Sequence, residues 1–426
     1  MMNEAGETAP RQLTSWRQVL GNVLALLSGT TLARVVAAIA SVLIARAIGP
    51  EAYGQYSATL ALVGLTTILF SLGLDSWLLY QGGKDRENLT LRYSSALTVK
   101  VLLGIVWLAG FWIVAPYLDQ SSFPWILIIP GALALWFEEI SKLGWSAFTV
   151  RLRNDITLVL MIVAQGAFLG MVLWLVSQQV PEPASYMRSK LLAASLGAVA
   201  TGILAVRRIG LRAGWSTVRS TLRGTLPFAA SVAFTTIYGR ADLAIVASQL
   251  GETAAGSYAP ALMLTNALFL MPAAVYGVAL PILSRGNEDK SRVWMRRASI
   301  RLALAMTLMG IVLGSGLYLL AGPMVHLLYG QEYQASGAIL AILSGVLALR
   351  CSSTAFATAL VAIGWQTRRV GVQGVAAMLN VTLNLLIVRQ FGLTGVARVY
   401  VVTEAVLLLG YLVLFVLWMR RKPVQQ

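Results

Sequence analysis

Residues 45–62 read ARAIGPEAYGQYSATLAL, and residues 247–264 read ASQLGETAAGSYAPALML. Seven of the eighteen positions are identical: Ala45/Ala247, Gly49/Gly251, Ala52/Ala254, Gly54/Gly256, Tyr56/Tyr258, Leu60/Leu262 and Leu62/Leu264. Each copy is a hydrophobic helix end, a short glycine-containing turn and a second hydrophobic helix. This recurrence marks the chain as a tandem duplication, and a repeat constrains the fold before any other feature does. In a membrane protein, paired repeats point to a transporter whose site lies between the halves.

Composition places the chain in a membrane. It is 58% hydrophobic and 12% charged, with a mean hydropathy of +0.74; soluble domains carry about 25% charged residues. Apolar runs long enough to cross a ~30 Å hydrocarbon core recur along the whole length. No polar stretch approaches the ~50 residues of a soluble domain. The net charge of +16 does not signal nucleic acid, because the basic residues sit in short loops between apolar runs, where membrane topology puts them. The single cysteine, Cys351, lies in an apolar run; it excludes an intrachain disulfide and reads as a small buried hydrophobe. Residues 1–17 are polar and the apolar stretch after them is too long for a signal-peptide core, so no cleavable leader is expected.

Twelve helical spans are predicted, at 19–47, 54–80, 93–116, 123–147, 157–178, 189–208, 225–249, 255–283, 298–321, 337–364, 370–389 and 394–419. Loop charges alternate with this count. Twenty-three basic residues fall on one side, among them Arg11, Arg17, Lys84, Arg151, Arg207, Arg285, Lys290, Arg292, Arg368, Arg421 and Lys422. Four fall on the other: Arg46, Arg188, Lys190 and Arg389. The bias predicts that both termini are cytoplasmic. The repeated turns follow helices 1 and 7. Six helices separate them, so the halves enter the membrane in the same orientation. The expected fold is therefore all-α: two parallel-repeat six-helix bundles, 1–209 and 225–426, around a central cavity. Between them, residues 210–224 place Leu211, Trp215, Val218 and Leu222 on one face and Arg212, Arg219 and Arg223 on another. That pattern suits an amphipathic cytoplasmic helix in the inner-leaflet interface, or equally a positive linker that fixes topology.

Charges within spans are the candidate functional residues, since an intramembrane charge costs roughly 2.5–3.5 kcal/mol and faces a bundle interior or watery path. They are Arg34, Lys100, Lys142, Arg240, Arg350 and Arg398 with Asp75, Glu138, Glu139, Asp242 and Glu404. Arg34, Arg240, Arg350 and Glu404 lie deepest. Arg34 and Arg240 occupy the first helix of each half, which would set them on opposite walls of the cleft. Deep arginines suggest an anionic ligand, because the guanidinium fork matches phosphate oxygens and stays charged when desolvated. The competing reading is a set of interhelical ion pairs, such as Arg34 or Lys100 with Asp75 and Arg398 with Glu404. Asp242 could exchange H⁺ or hold Na⁺ as a coupling ion, or pair with Arg240 or Arg350. Other features read as structural: Pro130, Pro272 and Pro281 as helix kinks, His326 as an outer-loop residue, and Trp112, Trp125, Tyr329 and Trp418 as interfacial aromatics. No nucleophile elbow, glycine-rich phosphate loop or His/Cys metal spacing occurs, and the short loops offer no catalytic segment, so no enzyme is expected.

Several segments carry a family resemblance: LARVVAAIASVLIARAIGPEAYGQYS with SLGLDSWLLYQGGKD, then LPFAASVAFTTIYGRADLAIVASQLGETAAGSYAPAL with MPAAVYGVALPILSR, then LLYGQEYQASGAILAIL with AIGWQTRRVGVQGVAAMLNVTLNLLIVRQFGLTGVA. With these the chain resembles the polysaccharide-transport, O-antigen flippase-like members of the multidrug/oligosaccharidyl-lipid/polysaccharide exporter superfamily. The resemblance implies paired six-helix bundles working by alternating access in the bacterial cytoplasmic membrane. It implies an undecaprenyl-diphosphate-linked oligosaccharide as substrate, carried to the outer leaflet for surface polysaccharide synthesis. Arg34, Arg240 and Arg350, with Lys100 and Arg398, would bind it; Asp75, Glu138, Asp242 and Glu404 would modulate charge or couple ions. No resident cofactor or metal is expected, with Na⁺ or H⁺ as the coupling ion. Expected partners are membrane lipids and the polymerase and chain-length machinery of glycan assembly, with no nucleic acid. An ion-coupled multidrug exporter and a non-transporting scaffold of a glycan-assembly complex are the alternatives.

Overall fold

The computed structural model describes residues 16–212, 215–289 and 292–420. Arg11, Lys290, Arg421 and Lys422 lie outside them, as do the side chains of Arg17, Trp215, Pro281, Arg285 and Arg292. The apolar runs are helical because a backbone in hydrocarbon must satisfy its own polar groups. In chain order the helices are α1 (Trp16–Thr66), α2 (Ile68–Ser71), α3 (Leu74–Lys84), α4 (Leu89–Val114), α5 (Trp125–Val150), α6 (Asn154–Ser177), α7 (Pro183–Arg208), α8 (Trp215–Leu250), α9 (Glu252–Leu268), α10 (Leu270–Asp289), α11 (Arg292–Tyr329), α12 (Gln334–Ala362) and α13 (Gln366–Arg420). No strand occurs among the described residues. Eight helical stretches among them are long and apolar enough to cross a bilayer, so the chain is an all-α, multi-pass membrane protein. α5 and α8 are not among the eight; α5 carries Glu138, Glu139 and Lys142, and α8 carries Arg240 and Asp242.

Two of the stretches, Thr31–Lys84 and Gln366–Arg420, run for 54 and 55 residues. Straight helices of that length would extend ~80 Å at 1.5 Å per residue, more than twice the hydrocarbon core. Both fold back at a glycine. Gly49 (φ 76°, ψ 173°) breaks α1 and Gly392 (φ 55°, ψ −150°) breaks α13, a backbone region essentially reserved for glycine. Ser41 and Tyr53 share a 2.6 Å hydrogen bond across the first bend. Gly410 lies against Val372 across the second.

The second copy of the repeated turn behaves as the first does. Gly251 (φ 87°, ψ 177°) separates α8 from α9 in nearly the conformation of Gly49. The two turns also meet. A Cβ on Gly54 would lie 1.8 Å from the carbonyl oxygen of Glu252, and a Cβ on Gly256 would lie 1.8 Å from that of Pro50. Gly54 is equivalent to Gly256 in the repeat, and Pro50 to Glu252, so the contact is reciprocal. Small residues at membrane helix crossings let backbones approach this closely. The same end is tied by Ser122 donating to the carbonyl of Ala247 (2.9 Å) and Tyr333 to that of Ala45 (2.7 Å). Alanines continue the close packing: Ala40, Ala45 and Ala58 of α1 share one buried cluster with Ala247, Ala255 and Ala261. Large apolar side chains such as Val106, Leu319 and Leu327 point outward, as they must where the solvent is lipid.

The structure departs from the expected layout at three places. Of residues 210–224, in which 213 and 214 lie outside those described, those from Trp215 onward form no separate interfacial helix and belong to α8, which runs unbroken to Leu250. Its first turns dock on the early helices instead. Val218 joins the buried cluster of Leu74, Trp77 and Leu78, and Thr221 shares a 2.9 Å hydrogen bond with Ser95 of α4. Val218, Thr221 and Thr225 are all buried; their three- and four-residue spacing makes one helical stripe. Second, α7 begins at Pro183, with proline at the helix start, where its missing N–H costs nothing. Lys190 therefore lies in a helix and not in an outer loop. His326 likewise falls in the last turn of α11. Third, Tyr329 and Trp418 are buried, packed against Tyr333 and Phe415 at ring distances of 5.5 and 5.7 Å, and so do not form part of an interfacial belt.

Candidate substrate cleft and its buried charges

A cavity of about 330 Å³ opens between α1, α8 and α9. Ser41, Tyr56 and Ser57 of α1 and Asn266 of α9 give it a polar lining, and Arg240 of α8 is the single charged residue of that lining. The Arg240 Nη1 donates to the carbonyl oxygen of Leu60 at 3.1 Å, reaching across the cleft to the helix that follows the first repeated turn. Gly64 makes room for it: a Cβ there would stand 1.8 Å from Nη1. No carboxylate forms an ion pair with Arg240 among the described residues, although Glu138 and Glu139 lie within its electrostatic reach. Arg34 is not part of this lining. It is exposed on α1, so the structure does not bring Arg34 and Arg240 together as opposed walls. Arg398 is similarly exposed on α13.

The remaining charges of the early helices pair with one another. The fully buried Lys100 of α4 donates to both carboxylate oxygens of Asp75 (2.9 and 3.0 Å) and to the backbone oxygen of Glu139 (2.7 Å). Its Nζ also lies 3.2 Å from the Glu139 carboxylate, which Lys142 engages at 2.6 Å. Glu138 forms an ion pair with Lys190. Three carboxylates and three ammonium groups thus cancel. Lys100 is worth burying only because it is paired and hydrogen-bonded, and it has no donor left for a ligand; Lys142, by contrast, is exposed.

A second network joins α8, α12 and α13. Glu404, fully buried, takes an ion pair from Arg350 Nη2 at 3.0 Å, a hydrogen bond from Tyr238 at 2.6 Å and one from Ser353 at 2.8 Å. Arg350 lies over the rings of Phe269 and Tyr238, at 4.6 and 5.3 Å from their centroids. Glu404 therefore pairs with Arg350 and not with Arg398. Arg350, Glu404 and Tyr238 line a cavity of about 130 Å³ together with Arg369 and Gln373.

Asp242 occupies a third, different setting. It is buried, and it pairs with neither Arg240 nor Arg350. Its carboxylate accepts from Asn384 Nδ2 at 2.8 Å and from the Tyr258 hydroxyl at 3.4 Å. Asn384 also donates to Asn380 at 3.3 Å. Tyr258, Asn380 and Asn384 are all buried, and Asn384 Oδ1 has no hydrogen-bond partner. The cluster is rich in oxygen and contains no basic residue. No group of three or more His, Cys, Asp and Glu residues placed to hold a metal occurs among the described residues.

Residues 43–338 match the family described as polysaccharide biosynthesis protein. The chain belongs to this family. Its fold is that of known transporters. It is similar to the lipid II flippase MurJ in an inward closed conformation, with a TM-score of 0.74 and 14% identity over 92% of this chain and 87% of that one. It is equally similar to an inward-facing multidrug resistance MATE family transporter of the MOP superfamily, with a TM-score of 0.74 and 13% identity over 91% and 96%. A MOP superfamily transporter from Pyrococcus furiosus gives 0.66 and 11% over 95% and 97%. No curated protein matches the sequence.

In this member of the polysaccharide biosynthesis family, sequence reading passed over the uncharged partners. Asn380 and Asn384, spaced i,i+4 within an apolar run, were legible as a polar face. Tyr238, Tyr258 and Ser353 carried no such signal, because each is polar at one atom only and is common in apolar helices.

Proposed function

We propose that this protein is a flippase for a lipid-linked oligosaccharide, an undecaprenyl-diphosphate carrier in the bacterial cytoplasmic membrane, and serves surface polysaccharide synthesis. Arg240 carries the reading: a guanidinium that forms no ion pair among the described residues, and is the single charge lining its cleft, is a site for an anion. A diphosphate fits its fork-like donors, and the glycan behind it needs shelter across ~30 Å of hydrocarbon. Family membership and the transporter fold support transport. Twelve spans in two parallel six-helix bundles, 1–209 and 225–426, with cytoplasmic termini, are the arrangement we adopt. The Arg240 tie to Leu60 would then be a bond between bundles that an incoming diphosphate competes for. Arg34 and Arg398, exposed and without partners among the described residues, would meet the substrate only on entry or exit. Asp242 would carry the coupling ion, H⁺ or Na⁺, since its oxygen-rich surroundings offer a cation ligands and no competing base.

Reconstituted vesicles test this. The intact protein should move a lipid-diphosphate oligosaccharide between leaflets, and Arg240→Ala should slow it at least tenfold with the protein still folded. Unchanged translocation in that variant rejects the cleft assignment; no translocation by the intact protein, with efflux of small cationic drugs instead, rejects the flippase. Asp242→Asn should abolish the response of the rate to an imposed H⁺ or Na⁺ gradient.

A further inference from the structure

The cavity beside Arg350 has unanswered hydrogen-bonding groups that the ion pair does not use. Arg350 Nε and Arg369 Nε are buried donors without partners, and Gln373 Oε1 is a buried acceptor without one. All three residues line the same space. Buried polar atoms are nearly always satisfied, so three orphans around one cavity point to something that fills it. The charge is equally lopsided. Glu404 neutralises Arg350, while Arg369 has no acidic partner among the described residues, so the cavity keeps one net positive charge. Four aromatic residues, Phe234, Tyr238, Tyr276 and Tyr411, share the lining with small and hydroxyl-bearing residues such as Thr235 and Thr354. At about 130 Å³, the space takes at most one sugar unit and is far below an oligosaccharide.

We infer that this cavity binds one acidic sugar unit, a ring bearing a carboxylate, and so reads the glycan carried by the substrate. Each feature selects part of that ligand. The carboxylate answers two guanidinium donors and the net charge. A ring hydroxyl answers Gln373 Oε1, which needs a donor and excludes a fully deprotonated inorganic anion such as sulfate. The aromatic side chains in the lining offer apolar surface to the C–H faces of a sugar. Neutral sugars could accept from the Nε groups through hydroxyl oxygens but would leave the charge of Arg369 uncompensated, and hydrogen bonds between a guanidinium and a carboxylate are the stronger ones. The inference rests on the flippase reading for its biological meaning; the binding itself does not depend on it.

The test uses the purified full-length protein with glucuronate, glucose and sulfate as probes at matched ionic strength, followed by intrinsic fluorescence and thermal unfolding. Glucuronate should bind saturably and raise the unfolding temperature, while glucose and sulfate should not. Arg369→Gln and Gln373→Ala should each weaken glucuronate at least tenfold, and Arg369→Lys, which keeps the charge and loses the fork, should fall between. Gln373→Ala also serves alone if an Arg369 variant does not fold. Sulfate binding as tight as glucuronate overturns the sugar reading, as does glucuronate binding that both variants leave unchanged, or no saturable binding. In vesicles, the intact protein should move a uronate-bearing lipid-linked oligosaccharide faster than its neutral analogue, and Arg369→Gln should erase the difference. Equal rates for both in the intact protein overturn this inference and leave the flippase standing; failure to move either glycan, with glucuronate binding intact, does the reverse.

Discussion

The two halves of the chain bury charge by opposite rules. Among the early helices, Asp75, Glu138 and Glu139 are matched by Lys100, Lys142 and Lys190, and the cavity beside Glu138 and Lys190 is only about 30 Å³. Among the later helices, Arg350 and Glu404 form a pair, but among the described residues Arg369 has no acidic partner and Asp242 is hydrogen-bonded only by neutral groups, and the cavity beside Arg350 is about 130 Å³. Arg240 extends the contrast into the cleft. A closed network of charges holds helices together; an open one keeps donors and acceptors available for a ligand or ion. Charge within a membrane span therefore identifies candidates, and the state of pairing divides them into scaffold and site.

Three outcomes would break or sharpen that contrast. Lys100→Met should have the largest effect on stability. It leaves Asp75 without its cation and Glu139 with one instead of two, and removing one partner of a buried ionic network costs about 3–5 kcal/mol. Unfolding in mild detergent, compared with the same substitution at the exposed Arg398, measures it; equal losses would mean that the early network is not structural. Gly54→Val should come next. Its added atoms must displace the Glu252 carbonyl, a change in the range of about 1–3 kcal/mol for overpacking, and the crossing of the two repeated turns should open. Unfolding in mild detergent should show the loss, whereas Gly83→Val, where the added group meets open space, should unfold as the intact protein does. The smallest effect is expected for Arg34→Ala. As an exposed residue away from the cleft lining, it should alter translocation less than twofold. A loss as large as that of Arg240→Ala would restore the two arginines as equal walls of one site.

Much of the fold was legible because membrane helices are written in long apolar runs and glycine turns. The repeat marked Gly49 and Gly251 as turns, and both adopt a backbone that other residues avoid. Boundaries were less legible where a helix continues past its apolar part. α8 extends back to Trp215 because Val218 and Thr221 find partners on other helices, and α7 starts early at Pro183. The site was legible only as a set of charges. Pairing depends on neighbours far apart in the chain: Lys100 reaches Asp75 and Glu139, and Glu404 selects Arg350 over the nearer Arg398. No periodicity or loop charge carries that information.

The sequence by itself determined that this chain crosses a membrane, that it repeats a helix–glycine–helix unit, and which few charges fall within its apolar runs. Those properties are local: hydrophobicity acts run by run, and glycine frees the backbone residue by residue. Tertiary structure alone decided that Gly54 and Gly256 meet, that Lys100 is consumed in a network while Arg240 stands unpaired in a cleft, and that Asp242 rests among asparagines. A side chain buried in low dielectric is defined by whatever lies within a few ångströms of it, and for these residues that is almost always another helix.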